Sequence, residues 1–169
     1  MSVASQILDI RASLPAGVTL VAVSKFHSAE AILEAYGAGQ RIFGESRVQE
    51  LKLKAQSLPK DIEWHMIGHL QTNKVRTIAP FVSLIQSVDS QRLIECINSE
   101  AARCDRVIDC LLEVHVSSDE SKSGWDLDEL RSKYEIQLKV YEKALNQVFG
   151  KRETELIIYS FRLSDQIVL

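Results

Sequence analysis

The sequence predicts an α/β chain of the (β/α) TIM-barrel type, incomplete, with five or six strands and a long C-terminal helix. Three observations carry this. Five apolar, strand-like runs alternate with helical patterns within about 100 residues, as parallel βα units joined by right-handed crossovers do. The turn after the first run, Ser24-Lys25-Phe26-His27-Ser28, has none of the glycines that an open doubly wound sheet uses there to cradle phosphate. The polar residues Lys25, Glu45-Ser46, His69 and the Ser87-Val88-Asp89 segment gather at strand C-terminal ends, where barrels carry function.

The elements follow in order. Val18 to Phe26 (VTLVAVSKF) is β-branched and nearly all apolar, which suits a strand buried on both faces. Ser28 is placed to cap the next helix, and Gly37 or Gly39 to stop it. A short strand at Arg41–Gly44 leads to Ser46 and Gln49, which have capping-box spacing. Val48, Leu51, Ala55 and Leu58 form the apolar stripe of the helix that Pro59 closes. Ile62–Gly68 is the third strand, Thr72–Ile78 a short helix ended by Pro80, and Val82–Val88 the fourth strand. The helix from Ser90 has Leu93, Ile97 and Ala101 on its inner face, and Val107–Val116 is the fifth strand.

Composition bounds the function. The 169 residues hold 20 Lys+Arg against 23 Asp+Glu, a formal charge of −3, with 46% hydrophobic residues. These values exclude a disordered chain and give no electrostatic footprint for nucleic acid. No apolar run approaches the ~20 residues of a membrane helix, and MSVASQILDI lacks the basic and apolar regions of a signal peptide. Cys96, Cys104 and Cys110 form no CxxC pair and leave one thiol over in any pairing, so reduced core thiols in a cytoplasmic protein are expected.

Lys25 stands at the end of an apolar strand. There its ammonium would be partly desolvated, which lowers a lysine's pKa and frees the amine to attack an aldehyde. The same position suits a lysine that snorkels to solvent or pairs with Glu45. His65 and His69 lie four apart but straddle a strand end and Gly68, with no third ligand at a useful spacing, so no metal is expected. Gly68 suits a tight turn or a close backbone approach to a ligand. Gln71, Thr72 and Asn73 begin a helix whose free N–H groups would face the same region.

The segments AVSKF (22–26), FGESRVQE (43–50), WHMIGHLQTNK (64–74), IQSVDS (85–90) and CLLEVHVS (110–117), with Glu120-Ser121-Lys122-Ser123-Gly124 after them, resemble in order and spacing the pyridoxal phosphate homeostasis (YggS-type) proteins. The resemblance covers residues 1–125. It implies a barrel like the N-terminal domain of alanine racemases, with pyridoxal 5'-phosphate held as a Schiff base on Lys25 and no catalytic turnover. It also implies that Ser46, His65, Gly68 and Ser87 lie around the ring, and that apo enzymes needing the cofactor are partners. The family usually has asparagine at position 46 and histidine at position 86, where this chain has Ser46 and Gln86.

Beyond Trp125 the resemblance ends, and the family's Ser-x-Gly-Met-Ser and Arg-x-Gly segments, which cradle the phosphate, do not occur. Residues 126–169 form a divergent tail. Leu127, Leu130, Tyr134, Leu138, Tyr141, Leu145 and Val148 mark one helix over 126–149, and 155–161 reads as a strand. Since a complete barrel takes about 250 residues, a truncated or divergent relative is expected. Its open sheet edges or helix 126–149 would favour self-association. A weak racemase-like enzyme and a ligand-free, self-associating fragment are the alternative functions.

Overall fold

The structure is a computed structural model and describes residues 2–115, 124–126, 157–160 and 165–168. The chain divides into two units, residues 1–111 and 112–169.

The first unit opens with a helix absent from the sequence reading, α1 (Val3–Ser13), capped by the Ser2 hydroxyl on the Ser5 amide. Only Ile7 of this helix is buried, so its apolar stripe is too thin to read from sequence. It is tied down instead by polar bonds, the Ala4 amide to Glu34 Oε1 at 3.2 Å and Arg11 to Gln40 Oε1 at 2.8 Å.

Then come β1 (Ala22–Val23), α2 (Ala29–Gly37), β2 (Ile42–Glu45), α3 (Val48–Ser57), β3 (Glu63–Met66), α4 (Thr72–Ile78), β4 (Val82–Val88), α5 (Gln91–Arg103) and β5 (Asp109–Leu112). One sheet takes the strands in chain order, β1-β2-β3-β4-β5, and the first four pair in parallel. Consecutive parallel neighbours in chain order, with a helix at each crossover down to α5, are the start of a (β/α) barrel wall. The expected fold class is therefore present, with five strands of the wall among the described residues.

Strand β1 is shorter and wetter than its sequence suggests. It pairs only at Ala22–Val23, it is an edge strand, and Val18 and Val23 are half exposed. An all-apolar run does not distinguish an edge strand with one open face from a strand covered on both. Alternation across the sheet sends Phe43, Trp64, Met66 and Ile85 into one core with Ile32, Leu51, Val75, Ile78, Leu93 and Ile97 of the helices. The expected inner residues of α5, Leu93, Ile97 and Ala101, are all buried.

Caps follow the sequence at one helix and not at another. Ser28 caps α2 through the Ala31 amide, and Gly39, at φ +88°, takes the left-handed position after that helix. Ser46 does not cap α3: the N-cap is Arg47, without a side-chain bond, and Ser46, one residue past β2, packs its backbone on Gly68. Cys96 and Cys104 are half-buried, but Cys110, on the exposed strand β5, is not a core thiol.

The second unit contains β6 (Val114–His115) paired in parallel with β7 (Trp125–Asp126), and a hairpin of β8 (Ile157–Ser160) and β9 (Asp165–Val168). Strand β8 falls within the run expected at 155–161; β9, its antiparallel partner, gave no sequence signal. The helix expected over 126–149 lies outside the described residues apart from Asp126, which is in β7. Among the described residues no helix is long and apolar enough to cross a membrane.

Candidate functional site

The carboxyl ends of β1 to β4 lie side by side, and the site grows from the first of them. Past Val23 the Ser24 amide extends the ladder to the Gly44 carbonyl at 3.0 Å, and the chain then turns, the His27 amide closing on the Ser24 carbonyl at 3.0 Å. Lys25 is the second residue of this turn. Phe26, the third, has φ +65°, the left-handed region that glycine normally occupies in a type II turn. Lys25 is exposed, and its ammonium makes no hydrogen bond or ion pair among the described residues. The partial desolvation expected of it is not present, because the turn carries it clear of the strand. Nor does it pair with Glu45.

Glu45 is engaged elsewhere. Its carboxylate is fully buried and takes the Lys54 ammonium on Oε1 at 2.6 Å and the Ser24 hydroxyl on the same oxygen at 2.6 Å. Oε2 has no partner among the described residues. Lys54, on the buried stripe of α3, spends its other two donors on Glu50 Oε1 at 2.6 Å and the Ser24 carbonyl at 2.7 Å. Glu50 Oε1 in turn accepts the Phe26 amide at 2.8 Å. The hydrogen bond from Lys54 holds the Glu50 carboxyl below its ordinary range, and burial works against it. Two carboxylates and one ammonium thus sit directly behind the Lys25 turn.

Farther along the edge, three of the predicted residues meet. A Cβ on Gly68 would lie 2.5 Å from the Ser46 carbonyl oxygen and 2.8 Å from its Cα. Ser87, buried, donates its hydroxyl to the Gly68 carbonyl. The close backbone approach that Gly68 permits is to Ser46 itself. His65 is buried one step deeper and bonds Gln86 Nε2 through Nδ1 at 3.0 Å. With the amide as donor, the imidazole is neutral and presents Nε2–H. Burial pulls its pKa below the ordinary histidine value, and the Glu63 carboxylate partly opposes that. His69 is exposed and pairs with Asp89 at 3.0 Å, away from His65.

The structure therefore joins Ser46, Gly68 and Ser87 in one contact chain, sets His65 against Gln86, and leaves Lys25 on its own turn with no bond to the other four. Sequence reasoning missed Lys54 and Glu50. A signal existed: Lys54 falls three residues after Leu51 and four before Leu58 on the apolar face of α3, where an unpaired lysine is not tolerated. Gln86 stood out only as a departure from a pattern, and its bond to His65 gives that departure a role.

The chain is similar to known proteins over most of its length. Residues 2–147 match the family described as alanine racemase, N-terminal domain. A pyridoxal phosphate homeostasis protein of Schizosaccharomyces pombe is 40% identical over 109 residues, 63% of this chain and 46% of that protein. One from Synechocystis sp. is 41% identical over 125 residues, 73% and 57% of the two chains. The solved structure of PipY of Synechococcus elongatus with PLP bound superposes with a TM-score of 0.73 at 42% identity, covering 81% of this chain and 64% of PipY. The chain spans about half the length of the curated relatives it matches.

Proposed function

The chain belongs to the alanine racemase N-terminal domain family, as a relative of the pyridoxal phosphate homeostasis proteins, and from that premise we propose that it binds pyridoxal 5'-phosphate through Lys25 and buffers or delivers it in the cytoplasm without catalytic turnover. The observation that carries the reading is a lysine amine with no competing partner among the described residues, presented by a hydrogen-bonded turn at the end of the first sheet strand. An amine that is neither paired nor buried behind a carboxylate is open to an aldehyde. When bound, the cofactor supplies an aldehyde for that amine and an electron-withdrawing ring.

The other residues have narrower tasks. His65, held neutral by burial and oriented by Gln86, offers an N–H donor toward the ring. Ser87 and Gly68 hold the end of β3 at fixed height, and Ser46 caps that contact from β2. The Gly68 face is filled by Ser46, so it offers no cradle for a phosphate. Delivery to apo enzymes extends the same reading, since a cofactor held by one reversible bond can be passed on.

Titration with pyridoxal phosphate, followed by borohydride reduction and peptide mapping, tests the reading. Wild type should gain a visible absorbance band and a reduced adduct on Lys25, and Lys25→Ala should gain neither. A band that survives Lys25→Ala, or its absence from wild type, overturns the assignment. Self-association is the second reading, favoured by edge strand β5, whose four residues are all exposed and include Leu111 and Leu112. Sedimentation over a concentration series decides it.

A further inference from the structure

We propose that the Glu45–Lys54–Glu50 triad is a clamp on the Ser24–His27 turn, with Lys54 and Glu50 as positioning residues that set the direction in which the Lys25 amine leaves the sheet. The proposal rests on the reading of Lys25 as the cofactor-holding amine. The Lys25 side chain has no bond to orient it among the described residues, so its direction is set by the two peptide groups that flank it. Both are held by the triad: the Ser24 carbonyl accepts from Lys54 at 2.7 Å, and the Phe26 amide donates to Glu50 at 2.8 Å. The Ser24 hydroxyl adds a third tie, to Glu45 at 2.6 Å.

Two features separate a clamp from an ordinary ion pair. First, Phe26 sits at φ +65° while the residue is 71% exposed, so no core packing of the ring forces the backbone there. A bulky residue avoids that region unless its surroundings impose it. The Glu50 acceptor imposes it by rewarding the turned amide, and the Arg47 guanidinium lies 5.0 Å from the Phe26 ring centroid. Second, a buried ion pair is a poor way to gain stability, since apolar side chains of the same volume in place of both partners pack there without desolvating charge. Lys54 does something that an apolar side chain cannot: with three donors it joins a strand end, a buried carboxylate and the helix residue that holds Phe26.

The test compares wild type, Glu50→Ala, Glu50→Asp and Glu50→Gln as full chains. Glu50 is chosen because it is only half-buried, so its loss leaves Lys54 paired with Glu45. Hydrogen exchange at the Phe26 amide, measured by NMR without ligand, reads the clamp directly. Borohydride-trapped pyridoxal phosphate on Lys25 reads its consequence. Glu50→Ala should speed Phe26 exchange about tenfold or more, as loss of a hydrogen bond to a charged acceptor implies, and weaken capture by a similar factor. Glu50→Asp, one methylene short, should do the same if the alanine variant does not fold. Glu50→Gln, whose amide oxygen still accepts, should stay within about threefold of wild type in both. Unchanged exchange in both Glu50→Ala and Glu50→Asp overturns the clamp whatever the cofactor does. Faster exchange with unchanged capture overturns positioning and leaves a structural ion pair. Failure of the Lys25 reading shows instead in wild type and Lys25→Ala, as missing or lysine-independent capture, and overturns both.

Discussion

Replacing Lys54 by methionine gives the sharpest stability test of the buried triad. Methionine is unbranched and of similar length, so it keeps the packing of the lysine stem and removes only the ammonium. Three bonds go with it, to Glu45 at 2.6 Å, Glu50 at 2.6 Å and the Ser24 carbonyl at 2.7 Å. Glu50, half-buried, can recover water. Glu45 cannot: it is fully buried, and among the described residues its Oε2 has no partner and only the Ser24 hydroxyl remains on Oε1. Stranding one member of a buried pair costs about 3–5 kcal/mol. For a chain of this size that is a fall in Tm of roughly 6–20 °C. The assay is urea denaturation at pH 7 on four proteins: wild type, Lys54→Met, Glu45→Gln and the double variant. The double variant should recover at least about 2 kcal/mol over Lys54→Met, because no fully buried charge is then left behind. A loss below about 1 kcal/mol in Lys54→Met, or a double variant no better than the single, refutes the account.

Other outcomes follow from single contacts. Gly68→Ala puts a Cβ 2.5 Å from the Ser46 carbonyl oxygen, a backbone atom that cannot swing away; it should cost about 1–3 kcal/mol in urea denaturation, and a neutral result would mean that the two strand ends are not in contact. Phe26→Val should destabilise by about 1–2 kcal/mol although the side chain is exposed, since a β-branched residue resists φ +65° more than phenylalanine does; an effect within ~0.5 kcal/mol, ordinary for a surface site, would contradict the turn geometry. His65 has its pKa lowered in the fold, so the unfolded chain binds that proton more tightly. Its contribution to stability is complete above the ordinary histidine value near pH 6.5 and is lost as pH falls from there through the folded value. Urea midpoints should therefore drop more between pH 7.5 and 5.5 in wild type than in His65→Gln, and an equal drop would show that the imidazole is not buried.

Much of the fold was legible because it depends on local periodicity. Thr72–Ile78 is both the expected and the observed range of α4, since Pro80 ends it and the alternation on each side leaves no other register. The buried stripes of α3 and α5 were read for the same reason. The first strand was overestimated because hydrophobicity along the chain cannot say how many neighbours a strand has. Helix α1 escaped because polar bonds to Glu34 and Gln40 hold it, and those residues are some thirty positions away. Ser46 is not the cap of α3 because its backbone packs against Gly68, two residues past the end of β3.

The candidate site divides along the same line. By itself the sequence determined the residue types and their order: a lysine after an apolar strand, the Trp64–Lys74 segment, and the serines, histidine and glycine at strand ends. These are properties of neighbours along the chain, and they were sufficient for the family and the fold class. Only the tertiary structure decided which residues touch. It put Lys54 rather than Lys25 on Glu45, left the Lys25 amine without a partner among the described residues on a turn with Phe26 at positive φ, and used Gly68 to seat Ser46. The physical reason is that a charge's partner is chosen by desolvation. Lys25 ends a largely apolar run and Lys54 lies on an apolar stripe, but only the one on the covered face of a helix is withdrawn from water, and only that one must be paired.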